Sequence, residues 1–64
     1  MRGKLKEARE KKGMACKDVA EYLGISVRYY QMIERGERNG DFELWDALED
    51  LFGIHQRKLR EKEA

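Results

Sequence analysis

Residues 16–35 read CKDVAEYLGISVRYYQMIER, and their phasing decides the fold. Val19, Ala20 and Leu23 fall on one side of a helix over 16–23. Gly24-Ile25-Ser26 breaks the pattern, and a second helix over 27–35 follows at once. Gly24 supplies the positive φ that a tight turn needs. Ser26 is a favoured N-cap for the second helix. Ala20 is small enough for two helices to cross closely, and Ile25 and Ile33 anchor the second helix to a core. Two helices joined by a short glycine-containing turn make a helix-turn-helix unit, whose second helix is shaped for the DNA major groove. A generic helical hairpin is the plain alternative. Ala20, Gly24 and Ile33 in the right phase favour the helix-turn-helix.

Outward from this unit, the rest of the chain also reads as helix. Leu5, Ala8 and Arg9 share one face of a first helix over about 2–12, which Gly13 ends. Asp18, near the start of the 16–23 helix, suits its positive dipole end. Gly36 closes the third helix, and Glu37-Arg38-Asn39-Gly40 is a loop. Asp41 caps a fourth helix carrying Leu44, Trp45, Leu48, Leu51 and Phe52 at helical spacing, stopped by Gly53. A short fifth helix over about 56–62 sets Leu59 beside Ile54. The closing Glu61-Lys62-Glu63-Ala64 is expected to fray. Nothing reads as a strand, so the expected class is all-α with five helices.

The 64 residues suffice for one domain with a small core. The absence of proline, with 42% charged and 41% hydrophobic residues, fits a soluble, helix-rich chain. No apolar run approaches the ~20 residues of a membrane span. The charged opening MRGKLKEAREKK is no signal peptide. One cysteine, Cys16, fits a reducing cytoplasm, and a thiol at a helix start is also a candidate redox switch.

The net charge of +1 conceals an uneven distribution. Residues 1–12 carry Arg2, Lys4, Lys6, Arg9, Lys11 and Lys12 against Glu7 and Glu10. Residues 41–53 carry Asp41, Glu43, Asp46, Glu49 and Asp50 with no basic group. A DNA binder would turn the basic groups to the duplex and the acidic ones away; solvated helix faces are the plainer account of most single charges. Catalysis is set aside: there is one histidine, no metal-ligand cluster, no phosphate-cradling loop and no nucleophile paired with a base. Neither a metal, a cofactor nor a small-molecule ligand is expected.

GMACKDVAEYLGISVRYYQMIERGER, residues 13–38, resembles the helix-turn-helix of the phage Cro and lambda-repressor-like family. The likeness extends from Leu5 to about Leu59. Its most specific parts are the Ala20 to Gly24 spacing, Ile33-Glu34-Arg35-Gly36 and the LEDLFGI segment. It implies a compact five-helix bundle, DNA binding as a dimer and control of transcription. It also implies a partly buried bridge between Arg9 and Glu34. Tyr29-Tyr30 resembles a phage and mobile-element subgroup. Cys16 stands where the family often has a phosphate-binding Gln, and Gly40 where Pro is frequent. Tyr30 stands where Ile or Val usually fills the core, so its hydroxyl is expected to reach solvent or a partner.

On the third helix, Ser26, Val27, Arg28, Tyr29 and Met32 are the candidates for base contacts. Arg28 comes first, because a guanidinium bonds guanine O6 and N7 in bidentate fashion. Val27 and Met32 suit thymine methyls; packing against the body is the alternative for Met32, and a phosphate or water for Arg28. Phosphate candidates are Lys17, Gln31, Arg35, Arg38 and Asn39. The dimer surface is expected at the end of the fourth helix and the fifth, from Trp45, Phe52, Ile54, His55 and Leu59. Core placement is the default for Trp45, with an edge position as the alternative, and His55 reads first as a fifth-helix cap or a surface residue. The expected whole is a single-domain cytoplasmic repressor, 1–64, that blocks polymerase at an operator and has neither effector pocket nor cleavable linker. The alternative is a module of the same fold that has lost DNA affinity and binds a regulatory protein partner, an anti-repressor for example.

Overall fold

Leu5 and Ala8 lie one turn apart and both are buried, so the first helix enters the core by a single stripe. The structure is a computed structural model and describes residues 1–62. Five helices follow in order: α1 (Gly3–Lys11), α2 (Cys16–Leu23), α3 (Val27–Arg35), α4 (Phe42–Phe52) and α5 (Gln56–Leu59). They form a compact bundle with a Cα radius of gyration of 10.2 Å. Among the described residues every regular element is a helix, as the periodicity predicts.

Local chemistry sets the boundaries. The Ser26 hydroxyl accepts from Tyr29 N–H at 3.1 Å and starts α3. The Asp41 carboxylate accepts from Leu44 N–H at 2.9 Å and starts α4. Each such cap contributes about 1 kcal/mol. Gly24 ends α2 at φ +71, the left-handed conformation the turn demands. The Lys12 ammonium donates to the Leu51 carbonyl at 2.7 Å and ties α1 to the end of α4.

Two boundaries differ from the expected ones. The first helix begins at Gly3, because Arg2 is not helical; its N–H bonds the Glu34 carbonyl at 2.8 Å instead. The fifth ends at Leu59, short of residue 62. Leu59 is fully buried, whereas Arg60, Glu61 and Lys62 are exposed and polar, so nothing beyond Leu59 gains from burial. Of the closing stretch expected to fray, 63–64 lie outside the described residues.

The core joins Leu5 and Ala8 to Val19, Ala20, Tyr30, Ile33, Leu44, Trp45, Leu48 and Leu59. Two of the five residues expected at a dimer surface are therefore corrected. Trp45 is 1% exposed, and its indole N–H donates to the Asn39 carbonyl at 2.6 Å. Leu59 is buried where α5 folds back against α1 and α4. Both fill the subunit's own interior and offer no surface.

Candidate nucleic-acid interface

Helix α3 buries Tyr30, Ile33 and Glu34 on one side. At 3.6 residues per turn this leaves Arg28, Gln31, Met32 and Arg35 along the opposite side, with Val27 and Tyr29 on the flanks. Ser26, Val27, Arg28 and Arg35 are exposed, and Gln31 and Met32 are half-buried. Met32 does not join the packed core cluster. Tyr29 does pack against it. Its ring lines a groove of about 400 Å³ with Tyr22, Ile25 and Leu44, rimmed by Asp41 and Glu43. Of the five base-contact candidates, Arg28 and Met32 thus share the outer side, Ser26 precedes it at the N-cap, and Val27 and Tyr29 flank it.

The phosphate candidates are spread around that side. Lys17 is exposed on the first turn of α2. Asp18 beside it accepts from Ala15 N–H at 2.8 Å, which closes the helix start. Cys16 is half-buried and packs against the core, so a thiol replaces any polar reach there. Arg35 meets Glu37 at 3.4 Å, with both side chains more than half exposed. Such a pair contributes well under 1 kcal/mol and leaves Arg35 free to turn to another anion. Arg38 and Asn39 are exposed in the loop before α4. The Asn39 carbonyl is held by Trp45, so the loop has a fixed root.

What aims α3 lies beneath it. The Arg9 guanidinium meets the Glu34 carboxylate in a fork, Nε to Oε2 at 2.9 Å and Nη2 to Oε1 at 3.1 Å. Its remaining nitrogen, Nη1, donates to the Met14 carbonyl at 2.9 Å. The side chains are 12% and 7% exposed. Hydrogen bonding to Glu34 holds the Arg9 pKa above its ordinary value. Beside the pair, Tyr30 is wholly buried and its hydroxyl finds no hydrogen-bond partner among the described residues. The expected route to solvent is absent, because the ring is wholly enclosed by the core. Burial first, and the nearby Glu34 second, push the Tyr30 hydroxyl pKa well above its ordinary value.

A second arginine holds α3 and was not singled out from sequence. Arg2 counted there only toward a basic segment. It is 2% exposed, and its guanidinium donates to the carbonyls of Ile33, Arg38 (2.9 Å) and Arg60 (3.1 Å). One signal was available: Arg2, Leu5 and Arg9 recur at spacings of three and four, a single helix face.

The remaining dimer candidates are Phe52 and Ile54, half-buried, and His55, exposed. The His55 Nδ1 accepts from Arg57 N–H at 3.1 Å, so this residue also caps α5. Among the described residues no helix is long and apolar enough to cross a membrane.

Two short helices across a glycine turn, the second anchored below and polar above, define a helix-turn-helix protein. The chain matches the helix-turn-helix family over residues 5–55 and belongs to that family, of the Cro and lambda-repressor-like kind. It is similar to the HTH-type transcriptional regulator DdrOP3 of Deinococcus deserti, with 36% identity over 58 residues. The aligned region is 91% of this chain and 45% of that protein, so the chain spans about half the length of its relative. No solved structure matches the chain.

Proposed function

We propose that this chain binds double-stranded DNA in a sequence-specific manner and regulates transcription, as a repressor of phage or mobile-element type that occupies its operator. The observation that carries this is the outer strip of α3. Arg28, Met32 and Arg35 lie together on the side of α3 away from the Arg9–Glu34 fork, with exposed Ser26 and Val27 at its start. A helix so fixed can read base edges through Arg28, with Lys17, Gln31, Arg35, Arg38 and Asn39 setting register on phosphates. The kinship with a transcriptional regulator supports the same reading. It acts as a homodimer through Phe52, Ile54 and His55, in the cytoplasm, on half-sites about 34 Å apart.

The test is selection from random duplex DNA with the purified protein, read by sequencing. An enriched palindrome with half-sites one turn apart supports a dimeric operator binder. A folded protein that enriches nothing overturns it. A second reading, a partner-binding module of the same fold, draws on Phe42, 80% exposed between Asp41 and Glu43. That reading requires the selection to fail and a Phe42→Ala variant to lose a partner that wild type retains.

A further inference from the structure

Arg2 bonds to three segments that meet near the C-terminal end of α3. Its own N–H bonds the Glu34 carbonyl at 2.8 Å, and its Nη1 donates to the Ile33 carbonyl. These are last-turn carbonyls of α3, where a helix has orphan acceptors and the negative end of its dipole. The Gly36 turn satisfies part of that set: Gly36 N–H reaches Ile33, and Glu37 and Arg38 N–H reach Met32. Arg2 takes the Glu34 carbonyl and shares the one at Ile33. The same Nη1 bonds the Arg38 carbonyl at 2.9 Å, in the loop that leads to α4. Nε bonds the Arg60 carbonyl at 3.1 Å, just past α5. The guanidinium lies over the Trp45 ring at 5.1 Å, and Trp45 itself holds the Asn39 carbonyl.

One cation therefore joins the end of α3, the 36–40 loop and the end of α5. At 2% exposure it cannot reach a phosphate. The residues it immobilises adjoin Arg35, Arg38 and Asn39, the groups proposed to set register on DNA. A buried arginine is costly to desolvate, and burial with the neighbouring Arg60 lowers its pKa. Its planar fork suits three divergent carbonyls in a way a lysine ammonium does not.

We propose that Arg2 is a positioning residue for DNA recognition: it sets the seat of α3 and of the 36–40 loop without touching DNA. This rests on the DNA-binding reading above. The test uses the full chain with Arg2→Ala, Arg2→Lys, Arg38→Ala and the Arg2→Ala/Arg38→Ala double variant. Affinity is measured by anisotropy on the selected duplex and on a scrambled one, at a temperature where circular dichroism shows each variant folded. Arg2→Ala removes all three of the guanidinium's carbonyl bonds; by displacing the seat of α3 it is expected to weaken selected-site binding about tenfold and to leave scrambled DNA within about twofold. In the Arg38→Ala background its effect should shrink to under about threefold, because both act through one loop. Arg2→Lys should fall between wild type and Arg2→Ala; if Arg2→Ala does not fold, Arg2→Lys replaces it in the cycle.

Equal losses on both duplexes, or full additivity with Arg38→Ala, overturn the proposal and leave Arg2 a general stabiliser. If wild type selects no site, DNA binding fails separately, and amide hydrogen exchange of the free protein decides about Arg2. Exchange at Gly36, Glu37 and Arg38 in the Arg2 variant should then quicken more than exchange in α2. Uniform quickening, or none, overturns the positioning role.

Discussion

At Tyr30 a single hydroxyl breaks the rule that buried polar atoms find partners. Leaving such a group unpaired costs about 1–3 kcal/mol, while a phenyl ring keeps the packing. Tyr30→Phe is therefore expected to hold or raise stability by up to ~1 kcal/mol in a denaturant titration; a loss of that size would mean the hydroxyl is bonded in solution. The alkaline limb provides a second readout. The folded pKa is raised, so above about pH 10 the unfolded chain releases the Tyr30 proton while the folded chain keeps it. The unfolded state then binds fewer protons, and stability falls as pH climbs past that value. Tyr30→Phe should flatten part of this fall. Arg28 belongs to the same scale, and its proposed role is on the DNA. It is exposed and leads the outer strip of α3, so Arg28→Ala should relax preference at one base pair of the selected site by about 1–3 kcal/mol. A repeat selection with the variant checks this, and an unchanged preference removes Arg28 from base readout.

Among the elements, α2 packs most closely against α3, and α1 supplies its polar hold, through Arg9 along its length and Arg2 just before it. Removing one partner of a buried pair strands the other. Glu34→Ala should cost about 3–5 kcal/mol, and an Arg9→Met/Glu34→Leu pair should recover much of that. Chemical denaturation of the two variants beside wild type forms the check; a cost below ~1 kcal/mol would place the pair among solvent-screened bridges. The elements themselves were legible in the sequence because apolar spacing, Ser26, Asp41 and the glycines all agree on the same boundaries. The Arg9–Glu34 pair was legible only through family resemblance, since 25 residues separate its members and no periodicity links them. Gly40 was noticed only as a departure from Pro. Its φ of +72 excludes proline, and a Cβ there would stand 3.0 Å from the Trp45 indole nitrogen. The role of Arg2 and the burial of Leu59 depend on where the ends of α3, α4 and α5 converge, so the spacing of Arg2 to Leu5 and Arg9 hints at a buried face without naming its partners, while the helical phase of Trp45 left core and edge both open.

For the whole molecule the deciding quantity is where its charge lies, because a net charge of +1 gives little overall attraction to DNA. Attraction must come from local contacts, and those are countable. Lys17, Arg35 and Arg38 are the exposed cations among the proposed phosphate contacts of one copy. A dimer brings twice that set. Counterion release gives a log–log salt slope of about −0.9 per phosphate neutralised, so two copies should show a slope of about −5 and one copy about −3. Between 50 and 200 mM salt, affinity for the selected site should then fall by about 10³ for the dimer and by a few tens for a single copy. The acidic 41–53 segment sharpens the test. If this segment lay against the duplex, its five carboxylates would demand cations of their own and flatten the slope. Measuring Kd across that salt range thus reports copy number and orientation at once. A slope near −5 requires two copies with α3 inward and α4 outward, whereas a slope shallower than about −1 would leave Lys17, Arg35 and Arg38 no phosphates to hold.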